Sequence, residues 1–379
     1  KLIKTTKRIN MKNIMKIALV ALTALSFSVA NAGELSISGD AKASYVITSS
    51  AAGTGNAEQG KGLGVSNEFT LGASGELDNG WSWSYAQDID GATVQDDGKL
   101  TLTMGTMGTV GVFISEGGLD VDNTASQSVV SRPSDTSYNE GMVDSFDLSG
   151  MNTLQYHMPA DLLPFGIVGK VAYAPSSSSA AAANNSFKAQ GAANLGEFTE
   201  ASDAFNTAAA PIAQTSAMGK SATHYQLKAS PIDGLELGAD YVEYSGVNKA
   251  SGTMSQSPES GSYYATYAVG PATVGYSKSF LATAIGAYNQ DNIESIEGTK
   301  YSVAFNINDD LSVSYEKEDS NPDNQAAATA NYTIESTGIQ AAYTMGGMTL
   351  AIAMNEHENA RYTENKDIKD TVFTVAMAF

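Results

Sequence analysis

The sequence predicts an all-β fold: a transmembrane antiparallel β-barrel of sixteen strands, with short turns at one end and long loops at the other. Three observations carry the prediction. Apolar and polar residues alternate along most of the chain, short and long connections alternate between those segments, and the final residue is a phenylalanine ending an alternating strand. Successive side chains of a strand point to opposite faces, so a period of two marks one greasy face and one wet face. A barrel in a bilayer has this pattern together with an even strand number. Its sheet must close, because hydrocarbon offers no partner to an open edge.

Composition narrows the function. The chain has 379 residues with 41 acids against 21 bases, a net charge of −20, and only 16% charged residues. An average soluble domain carries roughly 25%. The negative charge excludes nucleic acid as a partner, since that needs a basic footprint. Zero Cys excludes a disulfide scaffold, a thiolate zinc site and a Cys nucleophile. Three His leave little for a His-rich metal centre.

Residues 1–10 precede Met11 and read as an upstream extension. Met11 to Lys16 is a short basic start, 17–30 is an uncharged and mostly apolar run, and Ala30-Asn31-Ala32 puts small residues at the −3 and −1 positions of a cleavage site. That order is a secretory signal over 11–32. The run is too short to span a bilayer as a helix, which takes about 20 residues. Cleavage after Ala32 removes six bases and no acid, so the mature chain reaches −26.

Residues 33–379 form one barrel domain. Leu35 to Tyr45 places apolar or small residues at odd positions and polar ones at even positions. The same alternation recurs in Phe69–Leu77, Trp81–Tyr85, Leu100–Met104, Tyr225–Leu227, Tyr301–Ile307, Leu311–Tyr315 and Met348–Ile352. Sixteen strands are expected to start near 34, 64, 80, 98, 109, 151, 164, 220, 234, 261, 271, 297, 310, 333, 347 and 370. Tight turns such as Asp78-Asn79-Gly80, Gly270-Pro271 and Gly346-Gly347 join them in pairs, and longer polar stretches separate the pairs. A soluble β-sandwich also alternates, but has no reason to sort its loops by length. The outward row includes Leu71, Ala73, Val110, Val112, Ile114, Val303, Phe305, Leu350 and Ile352. Phe373, Val375, Met377 and Phe379 continue it to the end of the chain, where the last strand is expected to close the cylinder against the first.

The segments LSISGDAKASYVI, EFTLGASGELDNGWSWSYAQDID, LTLTMGTMGTVGVFISE and the terminal FTVAMAF resemble the sixteen-stranded Gram-negative general porins, the alphaproteobacterial branch most. The resemblance implies a homotrimeric, water-filled channel for passive diffusion of small hydrophilic solutes and ions. It also implies residence in the outer membrane among lipid and lipopolysaccharide, after delivery by periplasmic chaperones and the barrel-assembly machinery. A third outer loop would fold into the barrel and narrow the pore.

That loop is 117–150. It carries Asp120, Asp122, Asp135, Glu140, Asp144 and Asp147 with Arg132 as its one base, and apolar residues suited to packing on an inner wall. A ring of carboxylates concentrates cations, so the expected preference is for cations. Porins of this type oppose the acidic loop with a basic wall. Here the inward candidates are Lys42, Lys99, Lys170 and Lys228, diluted by Asp40, Asp88 and Asp240. A substrate-specific channel, or a barrel acting as adhesin or receptor through the long outer loop 175–219, is the alternative. No nucleophile elbow, Walker loop or H-E-x-x-H occurs, so the chain is expected not to be an enzyme. No cofactor is expected, apart from Ca²⁺ at a cluster of outer acids, Glu316, Glu318, Asp319 and Asp323.

Overall fold

The computed structural model describes residues 34–50, 60–90, 93–115, 118–135, 141–145, 147–148, 150–175, 221–245, 256, 258–282, 293–324 and 330–378. The signal segment with Ala30 and Ala32, Glu140, nearly all of 175–219 and Phe379 lie outside the described residues.

Sixteen strands are described. They are β1 (Glu34–Ser50), β2 (Gly60–Glu76), β3 (Ser82–Asp90), β4 (Thr93–Thr103), β5 (Thr109–Ile114), β6 (Thr153–His157), β7 (Val168–Ala174) and β8 (Ser221–Ile232). Then follow β9 (Leu235–Ser245), β10 (Glu259–Val269), β11 (Ala272–Ala282), β12 (Ile293–Asn306), β13 (Leu311–Asn324), β14 (Ile334–Met345), β15 (Met348–Glu358) and β16 (Ile368–Ala378). Every expected strand is present, each starting within five residues of its expected position. Each pairs antiparallel with its neighbours in sequence, and β1 pairs with β16, so the barrel is closed.

Closure rests on the alternating pattern at both ends. Ala41, Ala43 and Tyr45 face Met377, Val375 and Phe373, so the two outward rows form one surface. The Tyr45 and Phe373 rings stack across the seam with centroids 6.4 Å apart. Tight turns end the strand pairs where the chain needs a left-handed residue: Gly80, Gly234, Gly270 and Gly346 all have positive φ. A residue with no Cβ takes that conformation without steric cost.

The outward residues follow the expected parity; six of the twelve described are exposed, and all but one of the others are half-buried. Val110 is the exception: it lies in the outward row but is only 3% exposed. Leu102 and Val110 are roofed by Trp81, Trp83, Leu154 and Tyr156, which share that face. The strands here, β5 and β6, have six and five residues, so the wall is at its lowest.

The largest cluster of buried apolar residues among the described ones lies inside the barrel. Leu119, Val143 and Leu148, from the connection between β5 and β6, pack with Ala172, Ala174, Ala222, Val242, Tyr244, Leu281 and Ile296 of the wall. The apolar residues of that loop thus turn it inward, since burying them against the wall removes them from water.

Candidate channel constriction

Inside a barrel the β5–β6 loop has no strand to pair with, so its backbone groups must find partners among inward side chains. They do so in order along β8 to β14. The Leu119 carbonyl accepts Gln226 Nε2–H at 2.8 Å. Val121 N–H donates to Asp240 Oδ1 at 3.1 Å, while the other Asp240 oxygen lies 3.0 Å from His224 Nε2 and Ser262 donates its hydroxyl as well. A 3₁₀ turn at Asp122–Ala125 then meets β11 and β12. There the Ala125 carbonyl accepts the Ser302 hydroxyl and lies so close to Gly275 that a Cβ would collide with it.

The next stretch is bonded residue by residue. The Ser126 and Ser128 hydroxyls donate to Glu316 Oε2 at 2.5 and 2.7 Å. Val129 N–H reaches Ser314 Oγ at 2.9 Å, and Val130 N–H reaches Gln340 Oε1 at 2.8 Å. Ser134 N–H donates to Glu318 Oε2 at 3.0 Å. Pro133 lies against Gly338, again where a Cβ would not fit. On the way out, the Val143 carbonyl accepts the Ser320 hydroxyl at 2.7 Å.

Ion pairs fasten the same contact. Lys300 Nζ is 2.9 Å from Asp122 Oδ2, 2.8 Å from Asp144 Oδ2 and 2.8 Å from Asn123 Oδ1. Arg132 reaches Asp135 at 2.9 Å, Asp144 at 3.2 Å and Glu318 at 3.6 Å. Burial works to raise the Asp122 pKa, but the Lys300 and Arg132 cations overcome it and hold the carboxyl below its usual value. Burial likewise opposes the Arg132 charge, and Glu318, Asp144 and Asp135 more than restore it. Asp120 has the opposite fate. Burial, then the neighbouring Asp147 and Asp122 charges, push it up to about 9, so at neutral pH it holds its proton.

The loop acids thus have different surroundings. Asp122 and Asp144 do not face the lumen as free carboxylates, because they are the pins that hold the loop to Lys300. Asp120 is neutral beside Asp147. Among the described residues of the loop, Asp135 is the exposed acid, its side chain at 56%. Among the wall residues, Lys42, Asp88, Lys99, Lys170 and Lys228 lie on inward rows, and Asp40 takes an inward register position opposite Ala378. Lys228 sits over the Tyr264 ring, 5.4 Å from its centroid, and 4.0 Å from Glu236. Asp240 is inward too, bonded to Val121, His224 and Ser262.

The four acids expected to offer a Ca²⁺ site do not stand together. Strand alternation splits the four acids. Glu316 and Glu318 point inward with no exposure, Asp319 points outward to Lys317 at 3.3 Å, and Asp323 accepts Asn331 Nδ2–H at 3.2 Å. Among the described residues, no group of three or more His, Asp or Glu is arranged to hold a metal. Sequence reasoning missed Lys300 as a hub, along with His224, Gln226 and Gln340. Their parity put them inside, but nothing local says that a loop will lie against them. Ser336, His357 and Asp370 stand in line, with Ser336 Oγ 2.8 Å from His357 Nδ1 and His357 Nε2 3.8 Å from Asp370. All three are buried and Asp370 accepts Asn355 Nδ2–H, so the set braces the wall out of reach of solute.

The loop's hydrogen bonds run to β8–β14. In the ring of strands, β1–β5 lie on the opposite side. Asn123 and Asp135 of the loop are exposed, and the β1–β5 wall bears Lys42, Asp88 and Lys99 on inward rows. Comparison with solved structures agrees with this architecture. The outer membrane channel DcaP of Acinetobacter baumannii matches with a TM-score of 0.60 at 9% identity, over 92% of this chain and 98% of that one. A refined porin matches at 0.55 and 12% identity, over 91% of this chain and all of that one. The Salmonella typhi OmpF complex with daunomycin matches at 0.53 and 12%, over 92% and 98%. The fold is that of the porin β-barrels. No family model and no curated protein matches the sequence. Within this barrel, Lys300 and Arg132 tie the inward loop to β12 and β13.

Proposed function

We propose that the chain is an outer-membrane porin, a water-filled channel for passive diffusion of small hydrophilic solutes and ions. One observation carries this reading: the β5–β6 loop is bonded to inward side chains along one side of the barrel, which would narrow the lumen and leave a passage beside the β1–β5 wall. The outward rows supply the lipid-facing surface, with tyrosines such as Tyr263, Tyr276 and Tyr301 in contact across neighbouring strands. Interfacial aromatics of this kind suit a bilayer boundary. The chain would reach the membrane through the secretory signal at 11–32, periplasmic chaperones and the barrel-assembly machinery. It would sit there as a homotrimer among lipid and lipopolysaccharide. No catalytic step belongs to this reading.

The preference is for cations. Asp122, Asp135, Asp144, Glu316 and Glu318 outnumber Lys300 and Arg132 around the loop, and the mature chain is strongly negative. Such a lumen raises the local cation concentration. The test is swelling of proteoliposomes in neutral sugars of graded size. Entry of small sugars with exclusion of large ones is expected. Uniform exclusion by inserted, folded barrels would overturn the reading in favour of a plugged receptor or adhesin.

A further inference from the structure

The connection between β15 and β16, residues 359–367, is an outer loop by its place at the long-loop end, yet one of its side chains reaches the constriction. Tyr362 packs against the interior cluster that includes Val143 and Leu148. Its hydroxyl accepts Val143 N–H at 3.2 Å and lies 2.8 Å from Ser320 Oγ. Ser320 in turn donates to the Val143 carbonyl. With that proton committed, Tyr362 must be the donor to Ser320. Three groups from three elements thus form a closed hydrogen-bond ring: the constriction loop, the β13 wall and the outer loop.

The outer loop is built to hold that position. Asn359, Arg361, Tyr362 and Asn365 all have φ between 52° and 57°, a region that residues with a Cβ occupy only under constraint. The constraint is visible. Ala360 N–H donates to the Lys366 carbonyl at 2.9 Å, Asn365 N–H to Asn359 Oδ1 at 3.0 Å, and Asn359 Nδ2–H to the Thr333 carbonyl at 3.0 Å. Val143 precedes Asp144, the carboxylate shared by Lys300 and Arg132. Whatever holds Val143 also holds the pin of the constriction.

We propose that Tyr362 is a latch through which outer loop 359–367 holds the return arm of the constriction loop, so that displacing this loop at the cell surface frees Asp144 and lets the channel close. The latch itself is a statement about contacts; only its effect on closing rests on the diffusion reading.

Hydrogen exchange on the purified full-length barrel separates the two. Tyr362→Phe keeps the ring packing and removes the hydroxyl. It should speed exchange of the Val143 and Asp144 amides about fivefold or more, the fold-change of one lost hydrogen bond. Ser320→Ala breaks the same ring from the wall side and should do the same, so the test stands if the first variant folds poorly. Tyr343→Phe, on the exposed outer face, should change nothing there. In planar bilayers, the two ring variants should close more often and at lower voltage than the wild type. Unchanged exchange at 143–144 in both variants would overturn the latch. Faster exchange with unchanged closing would overturn its role in closing. A silent wild-type membrane would instead overturn the diffusion reading, and the exchange result would still decide the latch.

Discussion

Lys300 Nζ lies 2.8 Å from Asp144 Oδ2, and the same ammonium lies 2.9 Å from Asp122 Oδ2. One wall cation therefore ties the entering and the returning arm of the constriction loop to β12. Both arms have given up water for this contact, and Lys300 is 1% exposed. Removing one member of such a cluster strands the others as unpaired buried charges, a loss of about 3–5 kcal/mol. Lys300→Met should thus lower the unfolding temperature of the barrel far more than Lys278→Met, whose pair with Glu297 is largely exposed. Heat-modifiability on unheated gels and thermal circular dichroism would measure the difference. Equal shifts in the two variants would contradict a pinned loop.

Asp120 makes a pH prediction. Below about 9 its carboxyl is protonated and adds no charge to the constriction; above that it ionises beside Asp147 and Asp122. Cation selectivity should therefore rise as pH passes through 9. Asp120→Asn should match the wild type at pH 7 and lose the rise. Reversal potentials at pH 7 and pH 10 would check both statements.

Gly275 sets how close the loop comes to the wall. A methyl group there would collide with the Ala125 carbonyl oxygen and the Ser302 hydroxyl. Gly275→Ala should push the loop into the passage and lower single-channel conductance, with the β-sheet signal unchanged. An unaltered conductance would mean that the loop does not border the conducting path.

Trp81 and Trp83 are the two tryptophans of the chain; they follow the Asp78-Asn79-Gly80 turn and pack beside Leu102 and Val110 on the outer face. In brominated lipid their fluorescence should be quenched most by bromines near the headgroups. Strong quenching by aqueous iodide instead would place this face in water and contradict the bilayer orientation.

The barrel was legible because its physics is local. Period-two patterning, glycine turns and loop lengths all repeat along the chain, so an error in one strand leaves the rest intact. The closing seam was legible as well, since Phe373, Val375 and Met377 match Tyr45, Ala43 and Ala41. The constriction was half legible. Its acids and its inward direction could be read from 117–150, but which acids stay free depends on contacts such as Lys300 with Asp122, which are about 180 residues apart. Glu316 and Glu318 continue the even row of Ser312 and Ser314 into the barrel, where strand alternation separates them from Asp319 and Asp323.

The most direct test of the account is a planar-bilayer recording of the purified protein across a salt gradient. The account predicts a large, stable conductance that closes in three steps, with a reversal potential on the cation side. Silent membranes, with the protein inserted and its β-sheet signal intact, would contradict it.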